Sequence, residues 1–109
     1  MAIAKSDNIS IPKGTYGIDI NFTVYNNDGT AYNLTGLTVK LHVWKAGIPG
    51  TLIVDGSCTL VVAASGTCKY TVASGDFDTV GVYLWELEMT KASFEDNTET
   101  GRLTVTESS

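Results

Sequence analysis

Apolar and polar residues alternate along three stretches of the chain, residues 18–24, 37–44 and 83–89. A period of two puts the apolar side chains on one face of a β-strand and the polar ones on the other, so each stretch predicts a half-buried strand. The side chains expected to face a core are Ile18, Ile20, Phe22, Val24, Leu37, Val39, Leu41, Val43, Tyr83, Trp85, Leu87 and Met89.

Clusters of glycine, asparagine and proline separate these stretches and predict turns, at residues 26–29, 33–36 and 46–50. Further short strands are expected at residues 52–54, 58–62 and 68–72, around Ile9 and Ile11, and at Leu103 and Val105, with turns at Gly56 and residues 65–66. Residues 74–79 form at most one helical turn. Many short strands at even spacing indicate an all-β antiparallel sandwich of about seven to eight strands that fills residues 1–109 as one domain.

Residues 78–85 carry the most specific local signal, a tyrosine two positions before an inward aromatic residue. In immunoglobulin-like sandwiches, a tyrosine near the start of the sixth strand hydrogen-bonds back across the corner that precedes it. Tyr83 followed by Trp85 reproduces this arrangement, and Gly81 is expected to permit a close approach of the chain. Since Trp85 stands where antibody domains have a bridging cysteine, we expect the immunoglobulin-like architecture without that disulfide.

Charge and composition exclude several classes of partner. The formal net charge is -5 and the seven Lys and Arg residues are scattered, so the chain lacks the basic face that nucleic acids or an anionic membrane would require. No apolar run reaches the length of a signal peptide core or a membrane span. We therefore expect the protein to be made and retained in a cytosol.

The two cysteines, Cys58 and Cys68, are interpreted as small buried hydrophobic residues. A hairpin that places Val62 opposite Cys68 would separate the two sulfurs by about 13 Å, which forbids a disulfide; only a slipped register would allow one. A zinc site needs four ligands, and His42 is distant in sequence. We expect no metal and no cofactor.

An outward row on the second strand, Lys40, His42 and Trp44, is the candidate interface, because a large aromatic side chain on a water-facing position is a common anchor in protein interfaces. The alternative is that Trp44 folds over the edge of the core. Glu86 and Glu88 share one strand face about 7 Å apart, but a solvated face explains them without a catalytic pair. No nucleophile and base are placed together by the sequence, so we predict no enzyme.

An ordered set of segments resembles the immunoglobulin-like N-terminal domain of phage baseplate upper proteins and related small tail and virion modules. The segments are Gly14-Thr15, Phe22-Thr23-Val24-Tyr25, Asp28-Gly29, residues 32–39, residues 65–70, and residues 75–88 with Gly81-Val82-Tyr83 and Glu86-Leu87-Glu88. The resemblance covers nearly the whole chain. It implies a virion structural protein that is assembled in the bacterial host cytoplasm and packs against other virion proteins, as a homo-oligomer.

The function predicted on this basis is a non-catalytic phage structural module, associated with the tail or baseplate, that acts through protein–protein assembly. Two alternatives remain open at this stage. One is a carbohydrate-binding or adhesive sandwich that uses exposed aromatic rings as stacking platforms, and the other is a capsid decoration protein. The rings proposed for stacking are Tyr16, Tyr25, Tyr32 and Trp44.

Overall fold

Two facing β-sheets make up the computed structural model, which describes residues 2–6, 10–48 and 50–107. Ten strands lie within these ranges: β1 (Ile3–Ser6), β2 (Ser10–Pro12), β3 (Asp19–Tyr25), β4 (Thr38–Lys45), β5 (Leu52–Ser57), β6 (Thr59–Val62), β7 (Thr67–Thr71), β8 (Gly81–Lys91), β9 (Phe94–Asn97) and β10 (Gly101–Thr106). A short 3-10 turn, Ala63–Ser65, joins β6 to β7.

The strand order is β1-β3-β7-β6 in the four-stranded sheet and β2-β10-β8-β4-β5 in the six-stranded sheet, where β9 also pairs with β8. The long strand β8 pairs with β4 along one side, and β9 and β10 share its other side. All these pairs are antiparallel except β10 with β2, which is parallel. β4 therefore lies inside its sheet, between β8 and β5.

The core lies between the two sheets and is built from the alternating apolar positions of β3, β4 and β8. Their inward side chains are almost completely removed from water, and Phe22 of one sheet meets Trp85 of the other with ring centroids 5.0 Å apart. The buried members from these three strands are Ile20, Phe22, Val24, Val39, Leu41, Val43, Tyr83, Trp85, Leu87 and Met89. The partner residues from other elements include Ile11, Leu34, Phe77, Leu103 and Val105.

The predicted all-β sandwich is confirmed, but the described residues form ten strands rather than seven to eight, and one pair of these strands is parallel. β1 and β9 were not predicted because Ile-Ala-Lys-Ser and Phe-Glu-Asp-Asn are too short and polar to show a period of two. Residues 74–77 form a hydrogen-bonded turn, which agrees with the limit of one turn that the sequence allowed for residues 74–79. Ile9 and Pro49, which the sequence assigned to a strand and a turn, lie outside the described residues.

Gly56 is not a turn residue, contrary to the sequence prediction, but lies inside β5. The ring of Tyr70 from the opposite sheet occupies the space where a side chain on residue 56 would stand. Glycine at this position thus serves a close contact between the sheets rather than a change of chain direction.

The chain passes from one sheet to the other at Cys58. β5 pairs with β4 up to Ser57 opposite Lys40, and the Cys58 amide still donates to the Val39 carbonyl at 2.8 Å. Thr59, the next residue, pairs with Lys69 on β7 in the other sheet. β5 and β6 therefore form one extended segment, residues 52–62, that borders both sheets on the same side of the sandwich.

Candidate functional site

Lys40, His42 and Trp44 all lie on the outer face of β4, because Val39, Leu41 and Val43 between them point into the core. Each of the three is half-buried rather than fully exposed. The reason is the position of β4 inside the sheet, where side chains from β5 and β8 cover both flanks. The candidate interface is thus the middle of a sheet face.

A single carboxylate holds the polar part of this row together. Asp55 Oδ1 on β5 lies 3.1 Å from His42 Nε2 and 3.8 Å from Lys40 Nζ. The His42 side chain is only 17% exposed, whereas those of Asp55 and Lys40 are 50% and 42% exposed. Ion pairs this accessible to water contribute little stability, so the cluster chiefly fixes the orientation of the imidazole.

Two further carboxylates flank the same cluster from β8. Glu86 lies opposite His42 and Glu88 lies opposite Lys40 in the β4–β8 ladder, and both are half-buried. Within the described ranges neither carboxylate has an ion-pair partner within 4.0 Å. The centre of the face is therefore acidic, with Asp55, Glu86 and Glu88 around one imidazole and one ammonium group.

Apolar side chains continue the face beyond His42. Trp44 lies opposite Leu84 on β8 and, across a bulge, opposite Leu52 on β5. Leu52 and the next outward residue of β8, Val82, are among the exposed large hydrophobic residues. We define these four residues, Trp44, Leu52, Leu84 and Val82, as the apolar row.

Tyr83 and Trp85 lie on the inner face of β8 and are buried in the core. The Tyr83 hydroxyl donates a hydrogen bond of 2.6 Å to the carbonyl of Thr79, and its ring meets Phe77 edge-on with centroids 6.4 Å apart. Burial raises the pKa of Tyr83 above its ordinary value. The tyrosine thereby connects the loop before β8 to the strand by a hydrogen bond.

Gly81 does not mediate the close approach that the sequence suggested. A Cβ at this position would lie 3.9 Å from Lys45 Cε and from Tyr83 Cε1, which is an ordinary contact. The close approach occurs at Gly101 instead, which faces Trp85 across the β8–β10 ladder. A Cβ on Gly101 would overlap the indole ring, so a backbone without a side chain is required there.

The two cysteines contact each other, so the hairpin does not have the register that would separate their sulfurs by about 13 Å. Leu60, not Val62, lies opposite Cys68, because the chain bulges between Leu60 and Val62 and then turns tightly through the 3-10 turn. Both remain free thiols. A hydrogen bond that the Cys58 thiol donates to Cys68, together with burial, raises the pKa of Cys58 well above its ordinary value.

A cleft of about 600 Å³ opens at one end of the sandwich, between the loop of residues 26–37 and the β8–β9 hairpin. The Tyr32 hydroxyl donates to Asp96 Oδ2 at 2.9 Å across this cleft. Burial, the hydrogen bond and the Asp96 charge raise the pKa of Tyr32 to about 12. Two other polar side chains of the cleft, Asn26 and Asn33, form hydrogen bonds within their own loop.

Of the four rings proposed as stacking platforms, only that of Tyr16 is largely exposed; 64% of this residue's surface is accessible to water. Tyr25, Tyr32 and Trp44 are half-buried. They also lie on different parts of the molecule, so the structure does not bring the four rings together as one stacking surface.

In the described part of the chain, no three His, Cys, Asp or Glu side chains are grouped so that they could hold a metal ion. Within the same residues, no helix has the length and apolar character needed to cross a membrane.

Comparison with known proteins gives similarity both to a family model and to solved structures. The family model for the BppU N-terminal domain matches residues 5–107. No curated protein matches. Among solved structures, a DUF4784 family protein from Bacteroides caccae ATCC 43185 is similar, with 13% identity and a TM-score of 0.46; the alignment covers 97% of this chain and 23% of that chain. The chain thus spans about a quarter of the length of that protein.

Proposed function

The chain belongs to the family of the BppU N-terminal domain, the N-terminal domain of phage baseplate upper proteins, and from that premise we propose that it is a non-catalytic module that joins baseplate proteins to one another. The family gives the chain a structural role in the phage baseplate, and so a place in the virion among other virion proteins. The contact surface that we propose for it is the outer face of the six-stranded sheet.

The observation that carries this proposal is the apolar row on a water-facing sheet. Trp44 and Leu84 lie side by side in the ladder, with Leu52 beyond them, on the face that points away from the core. A contiguous apolar strip outside the core is costly to leave in water, and tryptophan is enriched among residues that dominate binding energies. A partner that covers this strip would remove that cost.

The charges beside the apolar row favour a particular kind of partner. Asp55, Glu86 and Glu88 surround His42 and Lys40, and the whole chain carries a net charge of -5. Complementary charges raise the rate of association and exclude wrong partners more than they raise affinity. We therefore propose a partner surface with an apolar centre and lysine or arginine at its margin.

Two further parts of the proposal concern assembly. Copies of the chain associate with one another, as the sequence resemblance implied, and assembly takes place in the cytoplasm of the bacterial host. No catalytic step is assigned, because the candidate face is a set of structural side chains with one imidazole already held by Asp55.

The experiment that tests the interface is co-expression with the other baseplate proteins encoded by the same phage, followed by affinity capture. Trp44→Glu and Val82→Lys, which place charge in the apolar row, should each abolish capture. Tyr16→Lys is the matched control, because this exposed aromatic residue lies off the sheet face, and it should leave capture unchanged. Unaltered capture by Val82→Lys, whose exposed position tolerates lysine without unfolding, would contradict the proposed surface.

A further inference from the structure

The continuous segment 52–62 borders the sandwich on one side, and no strand within the described ranges pairs beyond it. β5 is the terminal strand of the six-stranded sheet and β6 is the terminal strand of the four-stranded sheet. Since an extended chain rises about 3.3 Å per residue, this edge is roughly 30 Å long. The outward backbone N–H and C=O groups of this edge therefore form a long row to which another strand can hydrogen-bond.

Apart from a bulge near each end and the single carboxylate of Asp55, the edge lacks the charged residues and prolines that usually protect such strands. Between Lys45 and Lys69 the only charged residue is Asp55, in a chain with a net charge of -5. Other edge strands carry Lys5 in β1 and Pro12 in β2, and lysine and proline are common means of preventing edge-to-edge pairing.

Exposed apolar side chains stand at the two ends of this edge. Leu52 and Ile53 are 43% and 38% exposed, and Val61 and Val62 are 55% and 52% exposed. The middle of the segment is small or polar, with Gly56 and Ser57. Each pair of exposed residues coincides with a bulge in its ladder, which favours side-chain packing over an unbroken added strand there.

The spacing of these residues is symmetric about Ser57. Leu52 and Val62 are equally distant from Ser57 along the chain, and so are Ile53 and Val61. If two copies run antiparallel about a two-fold axis at Ser57, Leu52 of one copy faces Val62 of the other, and Ile53 faces Val61. A two-fold interface requires this kind of self-complementary surface.

We propose that two copies of this chain pair antiparallel through residues 52–62, about a two-fold axis at Ser57. This inference rests on the self-association included in the proposed function, and it names the surface that mediates it. The nearly uncharged edge favours a second copy as the occupant, because two acidic chains approach most easily where neither presents carboxylates. The edge is small for an interface, and interfaces below about 1,200 Å² are typical of weak complexes, so the dimer should dissociate on dilution.

Sedimentation velocity from micromolar to millimolar concentrations tests the pairing. The unmodified chain should change from monomer to dimer across this range. Ile53→Lys and Val61→Glu should each weaken the dimer by about tenfold or more, because a single introduced charge would face an apolar side chain. Both positions are exposed, so circular dichroism should show folded variants.

The double variant I53K/V61E tests the two-fold geometry itself. In the proposed arrangement the lysine of one copy faces the glutamate of the other at both ends, so the double variant should regain the dimer that each single change loses. Tyr16→Lys is the control and should dimerise like the unmodified chain. A monomer at every concentration, a dimer indifferent to both single changes, or a double variant that stays monomeric would each overturn the inference.

The same variants separate this inference from the interface with other baseplate proteins. Ile53→Lys should still be captured by those proteins through the apolar row, since residue 53 is a bulge residue at the edge of the sheet. If the unmodified chain is captured by the other baseplate proteins but forms no dimer, only the proposed pairing is wrong. If Val82→Lys loses capture but still forms the dimer, the proposed pairing is supported.

Discussion

Trp85 fits into the core because the residue opposite it on the neighbouring strand has no side chain. Gly101 pairs with Trp85 in the β8–β10 ladder, and the indole ring lies over the backbone of residue 101. The other side of the ring meets Phe22 of the facing sheet. A glycine at the first position of a strand thus leaves room for the largest core side chain.

We predict that Gly101→Ala lowers the free energy of unfolding by about 1–3 kcal/mol, because the new methyl group must displace a packed ring. Urea denaturation followed by tryptophan fluorescence measures this change. Gly50→Ala is the control, since a Cβ there meets nothing within 4 Å, and it should change stability by less than about 0.5 kcal/mol. Equal stability of the two variants would contradict the packing described for Trp85.

The sequence showed neither Gly101 nor Asp55 as important, although both determine local geometry. Gly101 lies between two strand-like stretches and has the appearance of a turn residue, and only the pairing of β8 with β10 reveals the ring above it. Asp55 becomes a partner of His42 and Lys40 only through the register of β5 on β4. Contacts that depend on strand register cannot be derived from alternation within one strand.

Among the elements, the strands whose alternation is clearest in the sequence are those with one face fully buried. β3, β4 and β8 supply most of the core, so burial imposes the alternation that the sequence displays. β1 and β9 contribute little to the core, and pairing with β3 and β8 stabilises them instead. The β6–β7 register was wrong because a bulge and a 3-10 turn shorten the hairpin, which brings Cys58 to Cys68.

One hydrogen bond between elements should be lost at alkaline pH. The Tyr32 hydroxyl joins the loop of residues 26–37 to Asp96 of β9, and the pKa of Tyr32 is raised from 10.0 to about 12 by burial and by Asp96. A pKa raised on folding means that the folded state favours the protonated form. The hydrogen bond therefore contributes its full stabilisation below pH 10, and this contribution is lost as the pH rises to about 12.

We predict that the free energy of unfolding falls less steeply between pH 10 and 12 in Tyr32→Phe than in the unmodified chain. Chemical denaturation at several pH values in that window measures the two slopes. The variant should be less stable than the unmodified chain below pH 10, where the hydrogen bond to Asp96 is intact. Identical pH dependence in the two proteins would show that Tyr32 is not linked to folding.

At the scale of the whole molecule, the sandwich separates three kinds of surface. The outer face of the six-stranded sheet combines the apolar row with an acidic centre, the edge of residues 52–62 is nearly uncharged, and one end opens into the cleft at Tyr32 and Asp96. The face and the edge meet at β5, where Leu52 belongs to both. In the proposed assembly a partner covers Trp44, Leu84 and Val82 while a second copy pairs along residues 52–62, and Leu52 lies at the boundary of the two contacts.

Electron cryomicroscopy of the phage baseplate tests the central claim most directly, because it places the domain among its neighbours. The account predicts that Trp44, Leu84 and Val82 are covered by a neighbouring virion protein whose margin carries lysine or arginine. A map in which the domain is present but the outer face of its six-stranded sheet is open to solvent would contradict the account.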